Sequence, residues 1–284
     1  MIVTMLGTAQ DGGVPHVNCR CAACCEADRH PSKKRLAPSV GLYDRKSGDV
    51  YLIDASPHFD IQLRNLLKRV GDHRQPGRPL LDGIFLTHAH FGHYWGLGFL
   101  GKEAASPQKL PVYATEELGD FLAANRPFKD SIDRENLLIR TMEPGKAISL
   151  TKGTAITPFS VEHRKDVTDT VGFVIKGPQK TLLYVPDMDD LVPEVVNRMK
   201  QVEVAVIDGC FYSHDELPHR NIKEVPHPFI PDMMETLQEI SKNTRIVFTH
   251  FNHSNYVLRP DSPEKKEVLS RGFHLAKDGD EFAL

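Results

Sequence analysis

The stretch Ile84-Phe85-Leu86-Thr87-His88-Ala89-His90-Phe91-Gly92-His93 constrains this chain more than any other. A short apolar run, entered from Asp82-Gly83, stops at three histidines within six residues. β-Branched and aromatic character over so short a run predicts a buried strand. The histidines then fall on the loop at its carboxyl end, where α/β proteins place their ligand sites. His88 and His90 are two apart, so in extended backbone they project to the same side and can grip one ion. Imidazole suits that task because its neutral form is available near pH 7.

A lone imidazole loop would be a poor metal site, so further donors are sought at other strand ends. His163 follows a strand expected over 155–159, Asp187 follows one over 181–185, and His250 follows one over 246–248. Taken singly, each has an ordinary reading as a loop or cap residue; the shared context is what groups them. Strands are also expected at 1–6, 39–43, 50–53, 111–114, 137–139, 171–175 and 204–207. Helices are expected at 21–29, 59–70, 94–100, 116–124, 192–199, 231–241 and 264–270, with a polar loop over 71–79. The helix at 59–70 carries apolar residues at 59, 63, 66, 67 and 70, an amphipathic period. Thr115 is the expected N-cap of the helix at 116–124. Such mixing of strands and helices predicts sheets covered by helices, in one domain spanning 1–284.

Composition narrows the partners. The 284 residues carry a net charge of −3, which gives no footprint for nucleic acid or an anionic membrane. No apolar run approaches the ~20 residues that span a bilayer. The first residues lack a basic n-region, so a cytoplasmic location is expected. The expected partner is a small-molecule substrate, and a homodimer is compatible with this reading.

Four of the five cysteines, Cys19, Cys21, Cys24 and Cys25, lie within seven residues, in a Cys-rich loop at 18–25; the fifth is Cys210. In a reducing compartment that clustering predicts metal rather than disulfides. Three thiolates of the Cys19-x-Cys21-x-x-Cys24 run suit three corners of a tetrahedral structural zinc. His227 is the expected fourth ligand, with Cys25 and Cys210 as alternatives. Cys24 and Cys25 are adjacent, so their side chains diverge and do not share an ion.

The order His-x-His-x-x-His, His, Asp, His resembles the metallo-β-lactamase-fold hydrolases over essentially the whole chain. That resemblance implies an α/β four-layer αβ/βα sandwich with metals at one edge between the sheets. It implies that His88, His90 and His163 hold a first ion, His93 and His250 a second, and that Asp187 bridges them. The ions would be one or two of Zn, Mn or Fe. Asp54 matches the family's early aspartate, which orients the metal loop. The family motif has an aspartate where this chain has Gly92. Three readings stay open at that point. The second ion is weak or absent; a water or another carboxylate such as Asp208 fills the gap; or a single ion keeps an open position. A Gly92→Asp variant is expected to raise affinity for the second ion.

The cysteine run narrows the resemblance to two branches, coenzyme PQQ biosynthesis protein B and the PhnP cyclic phosphodiesterases. The PhnP-type site is completed by a later histidine, which favours His227. The former branch also matches at Leu6-Gly7-Thr8-Ala9, Asp54-Ala55-Ser56-Pro57 and Asp208-Gly209, but not at the metal loop itself. The resemblance implies a metal-dependent hydrolase that uses a metal-bound hydroxide on a small phosphodiester or similar ester. An iron-dependent oxygenase in cofactor biosynthesis, or a non-catalytic PQQ-type ligand carrier, is the alternative. Asp187, His253 and Asp54 are the expected catalytic group, His253 as a hydrogen-bond or proton donor to the substrate. Tyr94 and Trp95 are expected to pack in the core.

Overall fold

The structure is a computed structural model that describes residues 1–71, 77–217 and 221–284, with Lys223 described for its backbone alone. Residues 72–76 of the expected polar loop lie outside it.

The first half builds one seven-stranded sheet. Its members are β1 (Ile2–Gly7), β2 (Ser39–Tyr43), β3 (Val50–Ile53), β4 (Gly83–Phe85), β5 (Leu110–Ala114) and β6 (Leu137–Thr141) in spatial order. The second half builds another from β7 (Ile148–Thr151), β8 (Thr154–Val161), β9 (Thr170–Lys176), β10 (Thr181–Val185), β11 (Val204–Asp208), β12 (Arg245–Thr249) and β13 (His274–Leu275). The last strand, β14 (Glu281–Ala283), returns to pair antiparallel with β1. Strands β3 to β6 are parallel, as are β10 to β13.

Period two decides which layer each side chain joins. In β11, Val204 and Val206 enter the core between the two sheets, whereas Ala205 and Ile207 enter the core beneath the second sheet's helices. Both faces are covered, so the strand reads as a continuous apolar run rather than an alternation. Phe85, Phe173 and Tyr184 fill the space between the sheets. Outside the first sheet, Leu63, Leu66 and Val70 of α2 (Phe59–Val70) pack with Leu118 and Leu122 of α4 (Glu116–Ala124). Outside the second, Val195 and Met199 of α6 (Pro193–Met199) pack with Met233 and Leu237 of α7 (Ile230–Leu237) and Val268 of α8 (Pro263–Ser270). These layers make the αβ/βα sandwich anticipated above. The remaining helices are α1 (Ala22–Arg29), α3 (Phe91–Tyr94) and α5 (Phe128–Asp133).

Local expectations hold in detail at α4, where the Thr115 hydroxyl accepts from the Leu118 amide. The expected helix at 94–100 is instead α3 followed by a 3-10 segment over Trp95–Leu100, a stretch containing Gly96 and Gly98. A Cβ at Gly96 would come within 2.6 Å of Phe59 Cβ, so close backbone packing sets that turn. Tyr94 packs edge-on to Phe121 and Phe128 as expected. Trp95 does not join the core; it is 46% exposed. No helix among the described residues is long and apolar enough to cross a membrane.

Candidate metal centre

Carboxyl ends of strands from both sheets converge at one edge of the sandwich. Asp54 follows β3, the three-histidine loop follows β4, His163 follows β8, Asp187 follows β10, Asp208 ends β11 and His250 follows β12. Asp54 and His250 both have left-handed backbone, φ 61° in each case. Asp and His tolerate that region better than most residues, and such conformations collect at functional sites. A hydrogen bond from the Val171 amide to the Thr87 carbonyl, 3.0 Å, ties the two sheets together beside the loop.

The five expected histidines meet around Asp187. Its Oδ2 lies 3.0 Å from His93 Nε2, 3.2 Å from His250 Nε2 and 3.9 Å from His88 Nε2. Its Oδ1 lies 3.5 Å from His163 Nε2. His88 Nε2 and His163 Nε2 lie 2.8 and 3.2 Å from His90 Nδ1. Asp187 is thus placed between a His88–His90–His163 cluster and a His93–His250 pair.

The outward nitrogen of most of these rings is held by an oxygen. His93 Nδ1 lies 2.8 Å from Asp54 Oδ2, His163 Nδ1 3.0 Å from Asp189, His90 Nε2 3.0 Å from Asp166 and His88 Nδ1 3.0 Å from the Thr87 hydroxyl. That carboxylate–histidine arrangement fixes ring orientation and leaves the inward nitrogen free for an ion. The inward atoms His93 Nε2, His250 Nε2 and Asp187 Oδ2 are buried and make no hydrogen bond. Orphaned polar atoms of this kind are costly unless something binds them, so the donor set fits divalent metal.

Charge follows burial and neighbours. Burial, despite the nearby Asp187, holds the imidazoles of His88 and His250 well below their usual pKa, and brings His163 down to about 4. Those rings are therefore neutral and can ligate near pH 7. Burial alone would do the same to His93, but Asp54 and Asp187 outweigh it and raise that pKa well above normal. Burial opposes the Asp187 charge, but His250, His163 and His93 around it outweigh burial and hold its carboxyl well below the usual range. Near pH 7, where His250 and His163 are uncharged, His93 with its raised pKa supplies the opposing charge.

Asp54 is close to the centre without facing it. Its Oδ1 accepts from the Thr87 amide at 2.8 Å, both oxygens lie 3.0 Å from the Thr87 hydroxyl, and Oδ2 holds His93. It positions the loop. Asp54→Asn keeps the shape but turns an amide N–H toward His93 Nδ1, so we expect affinity for an ion at His93 to fall by about 10–100-fold. Metal titration of the folded variant checks this, and unchanged affinity would refute the role.

Two histidine assignments are exchanged. His227 does not reach the cysteines. It is buried beside the centre, Nδ1 2.6 Å from Asp208 Oδ2 and Nε2 4.0 Å from Asp187 Oδ1. The Ile230 amide bonds the Phe211 carbonyl at 3.0 Å and draws the 226–229 loop onto the end of β11. Asp208, suggested as a stand-in for the motif's aspartate, is instead the outer partner of His227. His253, expected at the substrate, completes the cysteine cluster. Its Nδ1 lies 3.2 Å from Cys19 Sγ and 3.7 Å from Cys21 Sγ, and with Cys24 the four donor atoms lie within 4.8 Å of one another. The cause is the pairing of Ala9 with Phe251, which fastens the loop after β12 to the cysteine segment. Burial lowers the His253 pKa to about 4, keeping the ring neutral, and raises the Cys21 and Cys24 thiols. The Cys25 thiol turns away to the Arg20 carbonyl, as adjacency to Cys24 required.

Gly92 has no room for a side chain. A Cβ there would meet the Asp11 carboxylate and come within 2.6 Å of Asp11 Cα. Gly92→Asp therefore displaces the 10–13 loop instead of adding a ligand, contrary to the expectation from the motif. Asp11, Asp166, Asp189 and the centre-facing role of His227 were missed in the sequence, where no spacing links them to the histidine loop.

Comparison with known proteins fits this geometry. Residues 50–251 match the model of the beta-lactamase superfamily domain. The chain is 28% identical to coenzyme PQQ synthesis protein B of Methylobacterium sp. (strain 4-46), over 98% of each chain. Its fold is similar to that of Zn(2+)-bound PqqB from Methylobacterium extorquens, with a TM-score of 0.84 at 24% identity over 100% of both chains. It is also similar to a diphosphatase of the PhnP family, TM-score 0.70, 24% identity, over 99% and 96%. By its motif, its sandwich and its domain match, the chain belongs to the beta-lactamase superfamily.

Proposed function

We propose that this protein is a metal-dependent hydrolase of a small phosphodiester or similar ester. The observation that carries the reading is the convergence of buried, hydrogen-bond-free donor atoms of His93, His250 and Asp187 beside the His88–His90–His163 cluster. Divalent ions bound there would lower the pKa of a coordinated water and polarise the ester oxygen. Everything else falls to the protein. Asp54, Asp166 and Asp189 hold the imidazoles in register. Arg164 lines a cleft of about 330 Å3 with Gln10, Asp11, His16 and Asn252, a size suited to a small substrate. Its Nη2 lies 3.3 Å from His90 Nδ1, so the guanidinium is near enough to orient an anionic group. His227 is the proposed proton donor to the leaving oxygen. Burial disfavours its charge, but Asp208 and Cys210 outweigh burial and raise its pKa well above normal, and its Nε2 has no hydrogen-bond partner.

We further propose that Cys19, Cys21, Cys24 and His253 hold a structural zinc. Three thiolates and one neutral imidazole match a closed tetrahedral site.

A second reading draws on the full-length similarity to coenzyme PQQ synthesis protein B: oxygen-dependent chemistry at iron, or carriage of a PQQ-type ligand. Anaerobic turnover of bis(p-nitrophenyl) phosphate separates these readings. Hydrolysis that needs added Mn(II), Zn(II) or Fe(II) but not oxygen supports the proposal. Absence of hydrolysis on a panel of phosphodiesters and esters, with oxygen consumption by the iron-loaded protein, would replace it with the second reading.

A further inference from the structure

We infer that Asp11 is the carboxylate ligand of the second ion, supplied from the loop after β1 in place of the aspartate that Gly92 lacks. The inference rests on the two-ion form of the reading above and names a ligand that it leaves open.

Three observations converge. First, the Asp11 side chain occupies the space that a side chain at position 92 would enter. Its Oδ1 accepts from the Gly92 amide at 3.0 Å, so the two positions are fastened together. Second, Asp11 Oδ1 lies 4.0 Å from His93 Nε2 and forms a donor group with His93 and His250 in which all atoms lie within 4.8 Å. His93 Nε2 and His250 Nε2 are buried, without hydrogen bonds, and lie 3.0 and 3.2 Å from Asp187 Oδ2, so Asp11 and Asp187 both border them. Third, the loop is built into the site. The Gln10 amide bonds the Phe251 carbonyl at 2.9 Å, and Asn252 donates to Gln10 Oε1 at 2.7 Å, so the segment carrying Asp11 is tied to the segment after His250.

Two rival donors, which also group with Asp187 and His250, are engaged elsewhere and not with His93. Asp208 is turned to His227 and to the Met188 and Cys210 amides. His227 Nε2 approaches the Oδ1 side of Asp187, opposite the Oδ2 that faces His93 and His250. The two sites then differ in hardness. The first has three imidazoles and the shared Asp187; the second has two imidazoles and two carboxylates, a set better suited to Mn(II) or Fe(II).

The test is Mn(II) titration of full-length protein stripped of its centre metals by mild chelation, followed by calorimetry and EPR. Wild type is expected to take two ions with the coupled spectrum of a carboxylate-bridged pair. Asp11→Asn and Asp11→Ala are expected to bind the first ion as wild type does. They should bind the second at least about 10-fold more weakly, the lower end of the cost of losing even an outer-shell partner, and give an uncoupled spectrum. His227→Ala is expected to keep both ions. Wild-type second-ion affinity in both Asp11 variants, or loss of the second ion in His227→Ala alone, would overturn the assignment and leave the hydrolase reading standing. A wild-type protein that takes a single ion would overturn the assignment and the two-ion form of that reading together. Asp11→Asn preserves side-chain size, so it carries the test if Asp11→Ala does not fold.

Discussion

Asp187→Ala is expected to abolish both metal occupancy and hydrolysis. Asp187 lies within 3.0 to 3.9 Å of four rings of the centre, His93, His250, His163 and His88. It is also the buried negative charge against which the surrounding imidazoles are balanced. Its removal takes away the carboxylate shared between the two clusters, leaving the His88–His90–His163 side with neutral rings alone and the His93–His250 side with Asp11 as its remaining carboxylate. The loss in activity should well exceed the ~100-fold that follows loss of an outer-shell partner. Elemental analysis should find the cysteine-bound zinc retained and the centre empty. Steady-state assays and metal counts on one preparation check both parts. Activity within 10-fold of wild type would show that Asp187 does not bridge.

The second large effect separates two histidines that the sequence had exchanged. His253→Ala and Cys21→Ser are expected to lose zinc and to lower the melting temperature. Zinc binding in small domains is linked to folding by roughly 10–16 kcal/mol. If only ~3 kcal/mol of that is felt here, the midpoint falls by roughly 6–12 °C. His227→Ala should keep the zinc while activity falls, because its polar partners are Asp208, Cys210 and Asp187 and not the cysteine–His253 cluster. The buried Asp208 left without its partner lowers the melting temperature as well, so zinc content is the discriminating readout. Thermal melting with a colorimetric zinc assay decides between them. The reverse pattern, zinc lost in His227→Ala and kept in His253→Ala, would refute the exchange.

Local physics was legible in the sequence to a useful degree. The apolar period of α2 and the Thr115 cap of α4 were readable because each depends on residues a turn apart. The convergence of His88, His90, His93, His163, Asp187 and His250 was readable because they lie on the loops that follow apolar strands, and strands running the same way bring such loops to one edge. What stayed hidden depends on pairings between distant loops. His253 and His227 are both loop histidines, and nothing adjacent in sequence reveals that Ala9 pairs with Phe251 while the 226–229 loop lies against Phe211. Asp11 is 81 residues from Gly92, and only the folded chain brings its carboxylate into the space that the missing side chain leaves. The short strand β7, a helical turn as short as α5, and the two small strands at the end of the chain carried too few residues for a period to register.

The most direct measurement is the number of ions per chain in protein purified anaerobically without added metal. Three are expected: one zinc that resists mild chelation and disappears in Cys21→Ser, and two exchangeable ions that disappear in Asp187→Ala. A chain that never holds more than the cysteine-bound zinc, even after incubation with Mn(II), Fe(II) or Zn(II), would contradict that expectation.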